Sequence, residues 1–257
     1  MTLATYDDGD PDGAPVVLLH AGIADARMWA PQVAPLAGAG HRVVRTDLPG
    51  FGETPQPVAD YDPAVLVRAA LDERGVGPAV VVGASFGGFV AQRLAVLAPE
   101  RVRAVALVCA AFSDAPPQVP ELAELDRREE ELLAAGDIAG AVEVNVRGWL
   151  GPDADAAARE RLSTMLDHAF RVQDGAGPGV WAELRDVDVA ELTVPALVVS
   201  GGHDFANITA AAGANAARMP RARHVHLPWA GHLPSMERPE EFTALLLEFL
   251  AEVDAAP

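Results

Sequence analysis

Ser85 stands in the pentapeptide Gly83-Ala84-Ser85-Phe86-Gly87, two residues after one glycine and two before another. A serine held on so tight a turn is in strained backbone, and side chains at the flanking glycine positions would collide with it. The apolar run 79–82 leads in with strand composition. Helical spacing takes over from Phe86, with Phe89, Val90, Leu94 and Leu97 on the same side. Strand, sharp turn and helix are the context of a G-x-S-x-G nucleophile elbow, rather than of an ordinary strand-to-helix turn that matches by accident. The chemistry on offer is attack by an exposed serine, with the amides that open the helix adding partial positive charge beside the hydroxyl. A hydroxyl is a weak nucleophile until a base takes its proton, and that base needs a partner to hold its tautomer.

The elements that must position this serine follow a regular rhythm. Short strands are expected at 3–6, 16–20, 43–46, 79–82 and 102–109. Helices come between them, one started by Pro31 and one capped by Asp62-Pro63 and running to about residue 74. Such alternation predicts a parallel sheet covered on both faces. The rhythm stops at Phe112. From 113 to about 192 the pattern is helical (121–135, 138–149, 156–172 and a short piece near Trp181), punctuated by Gly136, Gly151-Pro152 and the glycine-rich run 175–179. Strand 196–200, a helix over 208–218, strand 223–227 and a last helix from Pro239 resume it.

Composition narrows the class. At 257 residues the chain can bury a full core. Its net charge of −18, with all 19 basic residues arginine, repels phosphate backbones and anionic membranes, so no nucleic-acid or membrane partner is expected. Without lysine there is no Schiff-base chemistry. The single cysteine, Cys109, ends an apolar run and reads as a buried, inert thiol. No apolar stretch approaches the roughly 20 residues that span a bilayer. The N-terminus lacks the features of a signal peptide, which gives a cytoplasmic expectation. Apart from His232 the histidines form no ligand-spaced cluster, so neither metal nor cofactor is expected.

The elbow and its surroundings resemble the α/β-hydrolase superfamily. The resemblance implies a mostly parallel sheet of the eight-stranded type, helices on both faces, and a helical cap inserted after the sixth strand. On that plan 1–112 and 193–257 form the core domain and 113–192 the cap, which would roof a pocket over the C-terminal ends of the strands. The family order of serine, acid and histidine is met by Ser85, then Asp204 in Gly201-Gly202-His203-Asp204, then His232 in Trp229-Ala230-Gly231-His232-Leu233-Pro234-Ser235-Met236-Glu237. Asp186 and Asp188 are the nearest rivals for the acid. The resemblance assigns the oxyanion donors to the backbone N–H groups of Phe86 and Gly22, the latter in a His-Gly-X loop that reads His20-Ala21-Gly22 here, with Ala21 in place of the usual glycine. His20 is expected to be a structural hydrogen-bonder. Asp25-x-Arg27-Met28-Trp29 is similar to members acting on enol-lactones and small esters. Ile23, Trp149, Phe170 and Trp181 are pocket candidates, although helix packing would equally explain the last three.

The function implied is a serine hydrolase that cleaves a small-molecule carboxylic ester or lactone through an acyl-serine intermediate, as monomer or homodimer. Serine at the elbow, where epoxide hydrolases and dehalogenases carry aspartate, argues against those branches. The same residues would serve a thioesterase, a carbon–carbon hydrolase, a perhydrolase, or a ligand-binding sensor on a hydrolase scaffold.

Overall fold

The structure is a computed structural model that describes residues 1–174, 182 and 185–255. Seven strands form one sheet: β1 (Thr5–Gly9), β2 (Ala14–Leu19), β3 (His41–Thr46), β4 (Ala79–Ala84), β5 (Val102–Val108), β6 (Ala196–Gly201) and β7 (Ala222–Leu227). Their order is β1-β3-β2-β4-β5-β6-β7, parallel except for the antiparallel pair β1–β3. The mostly parallel sheet is therefore present, with seven strands where an eight-stranded plan was implied. The difference lies at the leading edge, where β1 pairs directly with β3, so the long helical segment follows the fifth strand of this chain.

The first strand also differs from its expected span. Sequence pattern places it at 3–6 with a turn from residue 7, yet the ladder continues to Gly9. Two turn-forming acidic residues are held in an edge strand because Asp7 and Asp8 form ion pairs with Arg42 and Arg45 of β3.

Nine described helices accompany the sheet: α1 (Ala30–Gly38), α2 (Pro63–Glu73), α3 (Phe86–Leu97), α4 (Pro120–Ala134), α5 (Ile138–Trp149), α6 (Ala156–Asp174), α7 (Ala206–Arg218), α8 (Pro234–Glu237) and α9 (Pro239–Asp254). Successive strand residues point to opposite faces and feed two cores. Val16, Leu18, Val80, Val82 and Ala106 pack with Leu246, Phe249 and Leu250 of α9. Val17, Leu19, Val81, Val105 and Leu107 pack with Val67 and Leu71 of α2, Leu94 of α3 and Ala211 of α7. Both faces are thus covered, which is why the central strands read as unbroken apolar runs.

Helices α4, α5 and α6 occupy the segment between β5 and β6. Val142 and Val146 of α5 and Leu162 and Met165 of α6 join the α9-side core. The short helix expected near Trp181 lies outside the described residues. No described helix is long and apolar enough to cross a membrane.

Candidate active site

Ser85 sits between β4 and α3 with φ +48° and ψ −114°, a left-handed backbone that a side-chain-bearing residue adopts only under strain. The two flanking glycines are required by space. A Cβ on Gly83 would lie 2.2 Å from the carbonyl oxygen of Gly87, and one on Gly87 would lie 2.5 Å from those of Leu19 and His20. The turn is fastened from both sides, since the Ser85 N–H donates to Val108 O (2.9 Å) and the Gly87 N–H to His20 O (3.1 Å).

The second of those bonds ties the elbow to the loop after β2. His20 is fully buried there, as expected of a structural residue. Its Nε2 accepts from the Leu48 N–H (2.8 Å), so Nδ1 carries the proton and donates to Ala21 O (2.8 Å). Burial pushes the imidazole pKa down and keeps it neutral for this bridging role. Gly22 comes next, exposed, and a Cβ there would stand 3.5 Å from the Phe86 Cβ. The two amides expected to face an oxyanion are therefore neighbours. Among the described residues neither donates to a protein atom, and Phe86 is the first residue of its helix, where no intrahelical acceptor exists.

Across the sheet, the expected acid and base, Asp204 and His232, are held by the loops after β6 and β7. They are zipped by Gly202 N–H to Leu227 O (2.8 Å) and His203 N–H to Ala230 O (2.8 Å). His232 Nδ1 lies 2.8 Å from Asp204 Oδ2, with 2% and 1% of the two side chains exposed. A carboxylate only accepts, so Nδ1–H donates and the Nε2 lone pair is left to take a proton. The Phe205 N–H holds the other carboxylate oxygen at 2.8 Å. The rivals have other employment or setting: Asp188 is exposed, caps the turn Val189–Glu191 and pairs with Arg218, and Asp186 is exposed.

Cys109 links the serine to this pair. It follows β5 directly, at φ +43°, lines a cavity of about 270 Å³ together with Ser85, and places Sγ within 4.8 Å of ligand atoms of Asp204 and His232. Such a trio could in principle hold a metal. Burial, and next the Asp204 charge, push the thiol pKa well up, and His232 Nδ1 is already committed to Asp204. The residues fit a protonated thiol beside a hydrogen-bonded His–Asp pair better than a thiolate ligand set.

Two features escape a reading of the sequence. Glu237 is 6% exposed, and its carboxylate accepts from the N–H groups of Gly231 (2.8 Å), Leu233 (3.0 Å) and Gly151 (3.1 Å). Those donors bracket His232 on both sides and reach the connection between α5 and α6. Burial raises the Glu237 pKa, while the three amides and His232 oppose the rise. Its signal in the sequence is a single acid five residues after the histidine. The second is Asn207, which lines the Ser85 cavity from α7 and carries no sequence signal.

The pocket candidates separate. Trp149 lies against the site: its ring is 4.5 Å from that of His232 and 5.1 Å from that of Phe205, and its carbonyl accepts the His232 N–H (2.9 Å). Ile23 is half-buried against the α9-side core, beside the Gly22 loop. Phe170 lines a different cavity, of about 230 Å³, with Leu133, Gly136, Ile138 and Gln173. On α6 it faces the α4–α5 turn, whereas the described wall of the Ser85 cavity is formed by the 110–122 segment and α7. Trp181 lies outside the described residues.

Fold and site together define an α/β protein with a serine elbow and a buried His–Asp pair, both in loops that follow strands of the same sheet. The chain belongs to the α/β-hydrolase fold family, whose sequence profile matches residues 14–239. It is 34% identical over 91% of its length to the dihydrolipoyllysine-residue acetyltransferase component of an acetoin cleaving system from Cupriavidus necator, and spans 63% of that relative's length. A putative non-heme bromoperoxidase, BpoC, of Mycobacterium tuberculosis is 29% identical, covering 97% of this chain and 98% of its own. Among solved structures, a thermophilic esterase from Thermogutta terrifontis superposes with a TM-score of 0.81 at 29% identity, covering 98% of this chain and 93% of its own. The enol-lactonase of Burkholderia xenovorans LB400 follows at 0.78 and 26%, covering 97% and 96%. These likenesses support an enzyme of the hydrolase class.

Proposed function

We propose that the protein is a serine hydrolase of small-molecule carboxylic esters or lactones, acting through an acyl-serine intermediate. The observation that carries this reading is the buried 2.8 Å His232–Asp204 hydrogen bond at the sheet edge that also presents Ser85 on a strained turn. Family membership and the likeness to an esterase and an enol-lactonase point the same way.

In the proposed cycle Ser85 Oγ attacks the substrate carbonyl while His232 Nε2 takes the hydroxyl proton. Asp204 stabilises the imidazolium and holds its tautomer. The Gly22 and Phe86 N–H groups receive the developing oxyanion. His232 then returns the proton to the departing alkoxide, water attacks the acyl-serine with the same base, and the acid leaves. Segment 113–192 acts as the cap, with Trp149 against the base, and no metal takes part. The only partner proposed is the small-molecule substrate, with no nucleic acid or membrane in the reaction.

A fluorophosphonate probe tests the nucleophile. Mass spectrometry should find the adduct on Ser85 in wild type and no adduct in Ser85→Ala. Labelling of another serine with Ser85 untouched would overturn the assignment. Repeated turnover of a simple aryl ester separates an enzyme from a ligand-binding protein, which would release at most one equivalent of product.

A further inference from the structure

We infer that Asn207 reads a hydroxyl on the substrate, so that the preferred ester carries a small hydroxylated group in the cavity beside Ser85. The inference rests on the serine-hydrolase reading above and deepens it. The cavity, about 270 Å³ or roughly nine water volumes, is walled mainly by Ala110, Phe112, Leu122, Ile208 and Ala211. A purely apolar wall would suit a plain alkyl or aryl group. Asn207 breaks it.

Its residue is 8% exposed, and Oδ1 is buried with no hydrogen-bond partner. Among the described residues its amide nitrogen makes no hydrogen bond either. Other buried carboxamides are anchored. Asn145 donates to Ala141 O and accepts from Trp149 Nε1, and Asn215 donates to Ala211 O. Gln32 and Gln92 also leave an oxygen unpaired, but each donates twice through its nitrogen and neither lines this cavity. Gln118, the other carboxamide on the wall, is exposed and already donates to Asp126 at 2.6 Å. Buried polar groups without partners are rare and costly. One that shares a cavity with the proposed nucleophile is accounted for by a ligand that pairs with it.

The carboxamide offers two donors and an acceptor, and a hydroxyl is the smallest group able to use both kinds. A site built to hydrogen-bond a substrate hydroxyl rejects the analogue that lacks it, because its own polar group is then stranded. Asn207 is thereby a specificity-determining residue, separate from the proposed triad.

The test uses matched pairs of short esters, hydroxylated and deoxy, one pair differing in the acyl group and one in the alkoxy group. Wild type should favour the hydroxylated member of at least one pair by about tenfold or more in kcat/KM. In Asn207→Leu, close in shape, the preference should fall to near unity or reverse, while Asn207→Asp, which keeps an acceptor, should retain part of it. Equal rates on both pairs in wild type would overturn the inference even if the variants fail to fold. So would a preference that survives Asn207→Leu, the result expected if the amide binds only a water. Fluorophosphonate labelling of Ser85 distinguishes the two failures. A labelled enzyme that turns over both members equally sinks the Asn207 role alone, whereas no labelling and no ester turnover sinks the serine-hydrolase reading along with it.

Discussion

At Asp204 a single carboxylate oxygen decides which ring nitrogen of His232 is free to accept a proton in the proposed reaction. Replacing Asp204 by Asn keeps the size of the side chain but allows its amide to donate to Nδ1, which puts the ring proton on Nε2. We expect Asp204→Asn to fold normally and to lower kcat by about 10⁴, the effect of the same change in a well-studied triad. Steady-state kinetics and a melting curve would check it, and Asp188→Asn, at an exposed ion pair, should stay near wild-type activity. If Asp188→Asn is the more damaging change, the acid is misplaced.

At the level of elements, the segment 228–238, which includes α8, is tied together by Glu237, which gathers amides from both sides of His232 and from Gly151. The α5 end is pressed close to that loop: a Cβ on Gly231 would stand 2.3 Å from the Gly151 nitrogen. Helix position and histidine position are therefore coupled. Glu237→Gln retains one acceptor oxygen but turns an NH₂ toward at least one donor, so part of the set is lost. The expected cost is about 1–3 kcal/mol of stability, the usual penalty for stranding a buried hydrogen-bonding group. Activity should fall through kcat more than KM, because the displaced group is the proposed base. An unchanged kcat in a destabilised variant would show that the clamp supports the fold only.

For the whole molecule, charge sets the response to acid. Burial works against ionised Asp25, yet the Arg27 guanidinium and backbone N–H outweigh it and lower its pKa; Arg42 lowers that of exposed-side Asp7. A depressed folded-state pKa contributes stability above the unfolded value, near 3.9 for aspartate, and that contribution disappears as pH falls through the folded value. Glu237 and Glu129, both raised by burial, act with the opposite sign at slightly higher pH. We expect the melting temperature to drop on acidification below about pH 4, with a shallower drop in Asp25→Asn, which has no carboxylate to protonate there. At neutral pH the −18 net charge makes self-repulsion the larger electrostatic effect. Raising salt to about 0.5 M should then increase the melting temperature. A decrease would mean that surface ion pairs such as Arg127 with Glu124 and Glu131 outweigh repulsion.

What could be read without coordinates is what short-range sterics and periodicity govern. Gly83 is needed because the Gly87 carbonyl, inside the same pentapeptide, passes within 2.5 Å of where a Cβ would sit, whereas the crowding at Gly87 comes from Leu19 and His20 across the fold. The central strands announce themselves because both faces are buried, and Asp62-Pro63 starts α2 by capping alone. Asp204 and His232 were singled out because the loops that carry them, each after an expected strand, resemble the family's order of serine, acid and histidine. Tertiary structure decided the rest. The edge strand β1 depends on Arg42 and Arg45, more than thirty residues away. Phe170 and Trp149 have the same helical, aromatic signature, and only the packing of α5 and α6 puts one against His232 and the other in a separate cavity. Glu237 and Asn207 matter through what they meet or fail to meet across the fold. A hydrogen bond to a distant amide, or its absence, leaves no period in the sequence.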